Sequence, residues 1–348
     1  MNHNFDTLRQ VLSSFRLDGI SDEKIVPLPG GLSGSSVWKV ETPWGKFCLK
    51  CMPTSFSVQR LKTIHRAVAL RRDAGLTCLT GYCQATSGET FVAHHDHLWE
   101  LQIWAKGEEP QPPLTVWQKK GMYQAVARFH QVLRNTPHDV SQLAKSEGVA
   151  VRLNMLRTWR DQGQRTVGSR LNDYGNPQRR QDLKLLIAGF ENFQSLVELR
   201  LVEVSQQEYL VEHCIGDPRP ENFRFENQQV SGLIDLGSMR RDNIALDISR
   251  LASELSTDTP VDWPLAWQSV EEIRPLKAPE KHLAIVLDAA NVILTGLKWV
   301  QWLLVDGYSF DSEQLVDTRL RHLCYRLEQL KHHPALELSR LKRETPQR

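Results

Sequence analysis

One segment, residues 215–237, constrains the fold and chemistry of this chain more than any other. It begins with IGDPRPEN at 215–222, continues through the apolar run FRF at 223–225, and after a polar turn ends in LIDLG at 233–237. Short β runs bounded by turn residues predict a loop followed by a two-stranded hairpin. The segment therefore places an aspartate, an asparagine five residues later and a second aspartate thirteen residues beyond that in one structural unit.

These three side chains, Asp217, Asn222 and Asp235, have the chemistry that phosphoryl transfer needs. Hard cations such as Mg²⁺ prefer oxygen ligands, and an attacking hydroxyl must lose its proton near the transition state. Such a unit supplies one carboxylate for the hydroxyl, and an amide with a second carboxylate for magnesium. The alternative is that Asp217 and Asn222 only form turns and that Asp235 caps a strand.

A glycine-rich turn, PGGLSGSS at 29–36, lies between two predicted strands, and a third predicted strand carries Lys50. Backbone N–H groups of such a turn approach phosphate oxygens closely, and a lysine on the adjoining strand neutralises them. The candidate phosphate-binding residues are Lys50, Gly30, Gly31, Ser33, Gly34 and Ser35. The same glycines also fit an ordinary hairpin turn. The Walker pattern is not met, because no GK[ST] follows.

Together these motifs resemble the aminoglycoside phosphotransferase and choline kinase-like family, small-molecule relatives of the protein kinases. IGDPRPEN keeps the glycine, aspartate, proline and asparagine of that family's catalytic loop, H-G-D-x-x-P-x-N. The resemblance implies that Asp217 is the catalytic base, that Asn222 is a magnesium ligand and that Asp235 is the principal magnesium ligand. It also implies that Lys50 holds the α- and β-phosphates of ATP.

The resemblance extends to three further segments. RFHQVL at 128–133 resembles a family helix motif, and ALDISRL contains Asp247, similar to the aspartate that braces the catalytic loop. WELQIWAK at 99–106 falls where the hinge of the family meets adenine, which makes the backbone of Leu101 and Ile103 candidates for that contact.

Two departures from the family pattern bear on activity. Ile215 replaces the usual catalytic-loop histidine, and the predicted helix at 58–75 has no glutamate where one is expected to pair with the lysine. His65 or its neighbour stands there instead. Because that ion pair positions the lysine over the phosphates, an alternative function is a pseudokinase that binds nucleotide without efficient turnover and acts as a regulatory or scaffolding protein.

Residue patterning and the resemblance together predict an α+β, two-lobed protein kinase-like fold. Short β runs and one helix precede the breaker-rich segment GEEPQPP at 107–113, and helices dominate after it. We therefore expect an N-terminal nucleotide-binding lobe at 1–106 with a small antiparallel sheet and one helix, and a larger, mostly helical catalytic and acceptor-binding lobe at 107–348. ATP is expected between the lobes, with transfer of its γ-phosphoryl group to a hydroxyl of a small molecule.

Composition narrows the partners. Lys plus Arg (43) against Asp plus Glu (41) leaves a formal charge of +2, far from the basic excess of dedicated nucleic-acid binders, so a nucleic-acid partner is not expected. Residues 152–184 are nevertheless basic, and three interpretations of them stay open: a solvated face, a surface for an anionic acceptor, or a nucleic-acid surface.

Two further features bear on location. Six cysteines are too sparse for a disulfide framework, and the first ten residues lack a signal-peptide pattern, which predicts a cytoplasmic protein. The apolar stretch 283–305 is interrupted by four polar residues on one helical face: Asp288, Asn291, Thr295 and Lys298. We therefore expect an amphipathic core helix and no membrane partner. Nothing in the sequence indicates the oligomeric state.

Overall fold

The computed structural model describes residues 4–29, 34–257, 259–308, 310 and 312–337. The chain divides into two compact units. The first comprises Met1–Gln118, Val132–Asp139 and Glu221–Met239, and the second comprises Lys119–Gln131, Val140–Pro220 and Arg240–Arg348.

The first unit is built on a five-stranded antiparallel sheet with the strand order β1-β2-β3-β5-β4. Its strands are β1 (Ile25–Leu28), β2 (Ser36–Thr42), β3 (Gly45–Cys51), β4 (Val92–His94) and β5 (His97–Ile103). Alternation along β3 and β5 buries Leu49, Trp99 and Leu101. These side chains share a core with the helix α1 (Phe5–Ser14), a second helix that the residue patterns do not predict.

The predicted helix of this unit is α2 (Val58–Asp73). It begins where the Ser57 hydroxyl accepts a hydrogen bond from the Arg60 N–H at 3.2 Å, which satisfies one of the free backbone donors of the first turn. Leu61, Ile64 and Val68 follow at helical spacing and are buried. The unit also contains the hairpin β8 (Phe223–Glu226) and β9 (Gln229–Leu233).

The second unit is mostly helical and holds a three-stranded sheet with the order β10-β7-β6. The strands are β6 (Gln142–Ala144), β7 (Tyr209–Cys214) and β10 (Arg240–Asp242). The helices from position 116 onward are α3 (Val116–Gln131), α4 (Glu147–Thr158), α5 (Gln164–Asn172), α6 (Pro177–Ser205), α7 (Ala245–Glu254), α8 (Trp263–Glu271), α9 (Ala278–Val300) and α10 (Glu313–Gln329). Two π-helical turns, Trp159–Gly163 and Gln301–Val305, follow α4 and α9.

The helix α9 is the central element of the second unit, because α4, α6, α7 and α10 all pack against it. Among the described residues, 278–305 form the one helix long and apolar enough to cross a membrane, and 78% of its most apolar window is buried inside the structure. This matches the core helix expected from the sequence. Asp288 departs from the expected polar face, since it is fully buried and lies 2.8 Å from the guanidinium of Arg326.

Candidate active site

The β8–β9 hairpin forms as the sequence predicts and brings two of the candidate residues together in the first unit. Phe223 pairs with Leu233, and the Ile234 N–H donates to the Asn222 carbonyl at 2.9 Å. Asn222 ends a 3₁₀ turn and is buried. The hairpin register therefore places Asn222 beside the residue that precedes Asp235.

Asp235 forms an ion pair with Lys50, whose Nζ lies 2.6 Å from Oδ1 of the carboxylate. The lysine side chain is 12% exposed and the aspartate side chain 49% exposed. Asp235 has φ +55°, in the left-handed region that costs energy for a residue with a Cβ and that often occurs at functional sites. This backbone conformation turns the chain sharply after β9 and presents the carboxylate to Lys50.

A second carboxylate, that of Glu100 on β5, also faces Lys50. The two residues are directly opposite in the β3–β5 register, so their side chains leave the same face of the sheet. Glu100 is 4% exposed. Burial opposes the charge on Lys50, but the carboxylates of Asp235 and Glu100 outweigh this effect and raise the pKa of its ammonium group.

His65 of α2 holds Glu100 in place. Its Nε2 lies 2.9 Å from the Glu100 carboxylate and its Nδ1 lies 2.7 Å from the Thr90 hydroxyl. The helix glutamate that the family pattern expects is therefore replaced by a strand glutamate that contacts the same helix through a histidine. Glu100 is a residue that sequence reasoning missed, although a single charge within the apolar strand HLWELQI is a signal for it.

Arg60 connects α2 to the turn after Asp235. Its guanidinium donates to the Gly237 carbonyl at 2.9 Å and lies 4.8 Å from the centre of the Phe56 ring. The helix is thus fixed at both its first turn, through Arg60, and its middle, through His65.

Asp217 lies in the second unit and pairs with Arg250 of α7. The Arg250 Nε lies 2.5 Å from Oδ1 of Asp217, and the aspartate side chain is 34% exposed. Arg250 also lies 2.8 Å from the carboxylate of Glu254, which in turn lies 3.0 Å from Arg319. Arg250 orients the Asp217 carboxylate. Its spacing of three residues from Asp247 places the two side chains on the same face of α7, and this spacing was the sequence signal that could have identified Arg250.

Asp247 braces the loop before Asp217, as the family resemblance predicts. Its two carboxylate oxygens accept hydrogen bonds from the N–H groups of Ile215 and Gly216, each at 2.8 Å. Gly216 has φ +88°, a conformation that favours glycine. Because the brace contacts the backbone of residue 215, isoleucine at that position keeps it.

His130 of α3 completes this brace. Its Nε2 lies 2.9 Å from Asp247 and its Nδ1 lies 3.2 Å from Glu212, and all three side chains are buried. Burial disfavours a charged imidazole, but the two carboxylates outweigh that effect and raise the pKa of His130.

The remaining predicted residues fall into two groups. Gly30, Gly31 and Ser33 lie outside the described residues. Gly34 has φ +75°, and Ser35 is buried directly before β2.

Two backbone groups of β5 that were candidates for the adenine contact already have partners. The Leu101 carbonyl accepts a hydrogen bond from the Cys83 N–H at 2.7 Å, and the Ile103 N–H donates to the Gly81 carbonyl at 3.0 Å.

Solved structures with the same fold include three small-molecule kinases. An aminoglycoside phosphotransferase from Alicyclobacillus acidocaldarius is 16% identical over 97% of this chain and 96% of its own, with a TM-score of 0.61. A microcompartment-associated aminopropanol kinase is 15% identical over 96% of this chain and 99% of its own, with a TM-score of 0.65. An amicoumacin kinase solved with AMP-PNP and Ca²⁺ is 12% identical over 90% of each chain, with a TM-score of 0.61. A search of curated proteins finds no match. At these identities the structural likeness establishes the fold.

The structure has the fold of kinase-like phosphotransferases, which confirms the predicted α+β architecture. A family model described as the phosphotransferase enzyme family matches residues 24–276, more than half of the chain. The chain belongs to this family, as the motif resemblance predicts, and it is a small-molecule phosphotransferase.

Proposed function

We propose that the protein is an ATP- and Mg²⁺-dependent kinase that transfers the γ-phosphoryl group to a hydroxyl of a small molecule. The observation that carries this proposal is the Lys50–Asp235 ion pair at 2.6 Å, beside a hairpin that also presents Asn222. A lysine, an aspartate and an asparagine in this arrangement are the groups that neutralise phosphates and hold magnesium in kinases.

The residues of the first unit fit a magnesium nucleotide. The Asp235 carboxylate and the Asn222 amide offer the hard oxygen donors that Mg²⁺ prefers, and the half-exposed Asp235 is open to a ligand. When bound, the ion would neutralise the negative charge of the phosphate oxygens. Lys50 would contact the α- and β-phosphates, and the glycine-rich sequence at 29–36, with Gly30, Gly31, Ser33, Gly34 and Ser35, would offer backbone N–H groups to the phosphates.

The adenine contact belongs at the end of β5. The Leu101 carbonyl, the Ile103 N–H and the Trp104 N–H already have hydrogen-bond partners within the first unit, so we assign the base contact to other backbone groups of residues 101–106. This extends the expected contact by a few residues within the same segment.

Asp217 serves as the general base in this mechanism. Its carboxylate accepts the proton of the acceptor hydroxyl, the oxygen forms a bond to the γ-phosphorus, and the bond between that phosphorus and the β–γ bridging oxygen breaks to release ADP. Arg250 keeps the carboxylate in one orientation, and Asp247 keeps the loop in one conformation through Ile215 and Gly216. Catalysis then consists mainly of positioning and charge neutralisation.

The pseudokinase alternative rests on the missing helix glutamate. Glu100 supplies a buried carboxylate beside Lys50, which supports an enzyme with turnover over a protein that only binds nucleotide.

The test measures the thermal unfolding midpoint with ATP or GTP, with and without Mg²⁺, and phosphate transfer to a panel of small alcohols. We expect nucleotide with Mg²⁺ to raise the unfolding midpoint of the wild type, and we expect Asp235→Ala to lose this rise. Asp217→Asn should keep the rise in the midpoint but lose turnover by roughly 10²- to 10⁴-fold. Asp22→Asn, at an exposed carboxylate paired with Arg9, is the matched control. If no nucleotide raises the unfolding midpoint of the wild type, the proposal is wrong.

A further inference from the structure

The second unit contains a cavity of about 530 Å³ between the end of α4 and the end of α9. Its walls are mainly apolar, from Met155, Trp159, Leu294 and Leu297, and both π-helical turns contribute to it. None of the described side chains that line it is a carboxylate, and Lys298 is the cation among them. A volume of this size suits a small organic molecule.

Lys298 connects this cavity to Asp217. Its Nζ lies 4.4 Å from the centre of the Trp302 ring, and within the described part of the chain it has no carboxylate at ion-pair distance. The surrounding protein atoms lower the pKa of Lys298, and the Asp217 carboxylate partly opposes this decrease. The lysine is therefore an exposed cation at the boundary between the cavity wall and the surroundings of the base.

Arg152 of α4 is a second cation for which the described residues supply no acidic partner at hydrogen-bond distance. Its guanidinium donates to Asn291 Oδ1 at 2.7 and 3.0 Å and to the Gly148 carbonyl at 2.9 Å, both neutral acceptors. Burial, together with the nearby charges of Arg240 and Arg250, lowers the pKa of Arg152 to about 10, although Asp242 partly opposes this decrease. Arg152 and Lys298 are thus two cations of the second unit that the described carboxylates do not pair at hydrogen-bond distance.

We propose that the acceptor is an anionic hydroxyl compound with an apolar portion, which occupies this cavity with its acidic group on Lys298. The inference rests on the proposed function, because it names the molecule whose hydroxyl Asp217 deprotonates. The apolar walls receive the body of the acceptor, and Lys298, in a lining without a carboxylate, favours a carboxylate or phosphate substituent over an ammonium group. A polyamine acceptor would bring like charges close to Lys298.

The experiment titrates the full-length protein with three probes that share one ring system and differ in charge: 2-naphthylacetate, 2-naphthylacetamide and 2-(2-naphthyl)ethylammonium. We expect the anion to bind roughly tenfold more tightly than the amide, and the ammonium compound to bind most weakly. Lys298→Gln is expected to bind the anion and the amide with equal affinity, and Lys298→Arg is expected to bind the anion more tightly, as the wild type does. Lys281→Gln is the matched control, because Lys281 lies on the same helix, contacts Trp267 and pairs with Glu271.

Three outcomes would overturn the inference: equal or tighter binding of the amide or the ammonium compound by the wild type, an unchanged anion preference in Lys298→Gln, or no binding of any probe at millimolar concentration. The nucleotide test is independent of these results. If Lys298→Gln loses the preference for the anion but no nucleotide stabilises the wild type, the kinase proposal alone is refuted. Nucleotide stabilisation without anion preference would refute the acceptor class alone.

Discussion

Lys50 is a nearly buried cation between two carboxylates that have different exposures. Asp235 is half-exposed and open to a bound ion, whereas Glu100 is enclosed by the sheet and by His65. A carboxylate that coordinates magnesium cannot at the same time be the only group that positions the lysine. We therefore assign the positioning of Lys50 to Glu100 and the metal contact to Asp235.

This division of roles predicts the effect of Glu100→Gln. The substitution keeps the size of the side chain and a hydrogen bond to His65 but removes the charge next to Lys50, so kcat/KM for ATP is expected to fall roughly tenfold while the unfolding midpoint changes little. Steady-state kinetics and thermal unfolding measure the two effects. Glu89→Gln, at an exposed carboxylate paired with Lys62, is the control, and equal kinetics of the two variants would exclude Glu100 from this role.

At the scale of elements, the loop before Asp217 is held by residues of three elements of the second unit. The helix α7 supplies Asp247, the helix α3 supplies His130 and the strand β7 supplies Glu212. His130 lies between the two carboxylates, which raise its pKa, and in its charged form it offsets their repulsion in the interior. The loop conformation should therefore depend on the charge of one histidine.

This arrangement predicts a specific pH dependence of stability. Because the pKa of His130 is raised on folding, its contribution is fully present below the unfolded value of about 6.5 and is lost as the pH rises through the folded pKa. His130→Gln should remove that contribution, so the difference in unfolding free energy between wild type and variant is largest at acidic pH and narrows as the pH increases. Denaturant unfolding over a pH series measures it, with the exposed His138→Gln as control; a constant difference would contradict the assignment.

Local patterns explain which elements the sequence predicts correctly. The β8–β9 hairpin follows from turn residues within a few positions, and the structure pairs Phe223 with Leu233 as the short β runs predict. The partner of Lys50 could not be predicted in this way, because Glu100 meets it through strand pairing fifty residues away. The burial of Asp288 likewise depends on Arg326 in another helix.

At the scale of the whole molecule, the candidate groups are divided between the two units. Lys50, Asn222 and Asp235 belong to the first, and Asp217 and Lys298 belong to the second. Each unit has its own buried residues, so a change in the core of one unit should affect its stability without altering the ligand groups of the other. The second unit offers a defined place for such a change at the contact of α9 with α10.

Asp288 of α9 is fully buried and contacts Arg326 of α10 at 2.8 Å and His333 at 3.1 Å. Burial by itself would raise the pKa of Asp288, but the charge of Arg326 and the hydrogen bond with His333 lower it. Its stabilising contribution is therefore present above the unfolded pKa and is lost as the pH falls through the folded pKa. Asp288→Asn should destabilise the second unit by about 3 kcal/mol, because it leaves the Arg326 charge buried without its counterion.

The double variant Asp288→Leu/Arg326→Met removes both charges and should recover most of that loss, since a buried ion pair replaced by apolar side chains of similar size is often close to neutral. Calorimetry measures both variants, and nucleotide titration of the folded protein measures the first unit. We expect the dissociation constant of Mg-ATP to stay within about twofold of the wild type in each variant, because Lys50, Asn222 and Asp235 are unchanged. A large loss of nucleotide affinity in Asp288→Asn would mean that the stability of the second unit controls the nucleotide site, and the division of roles between the units would be wrong.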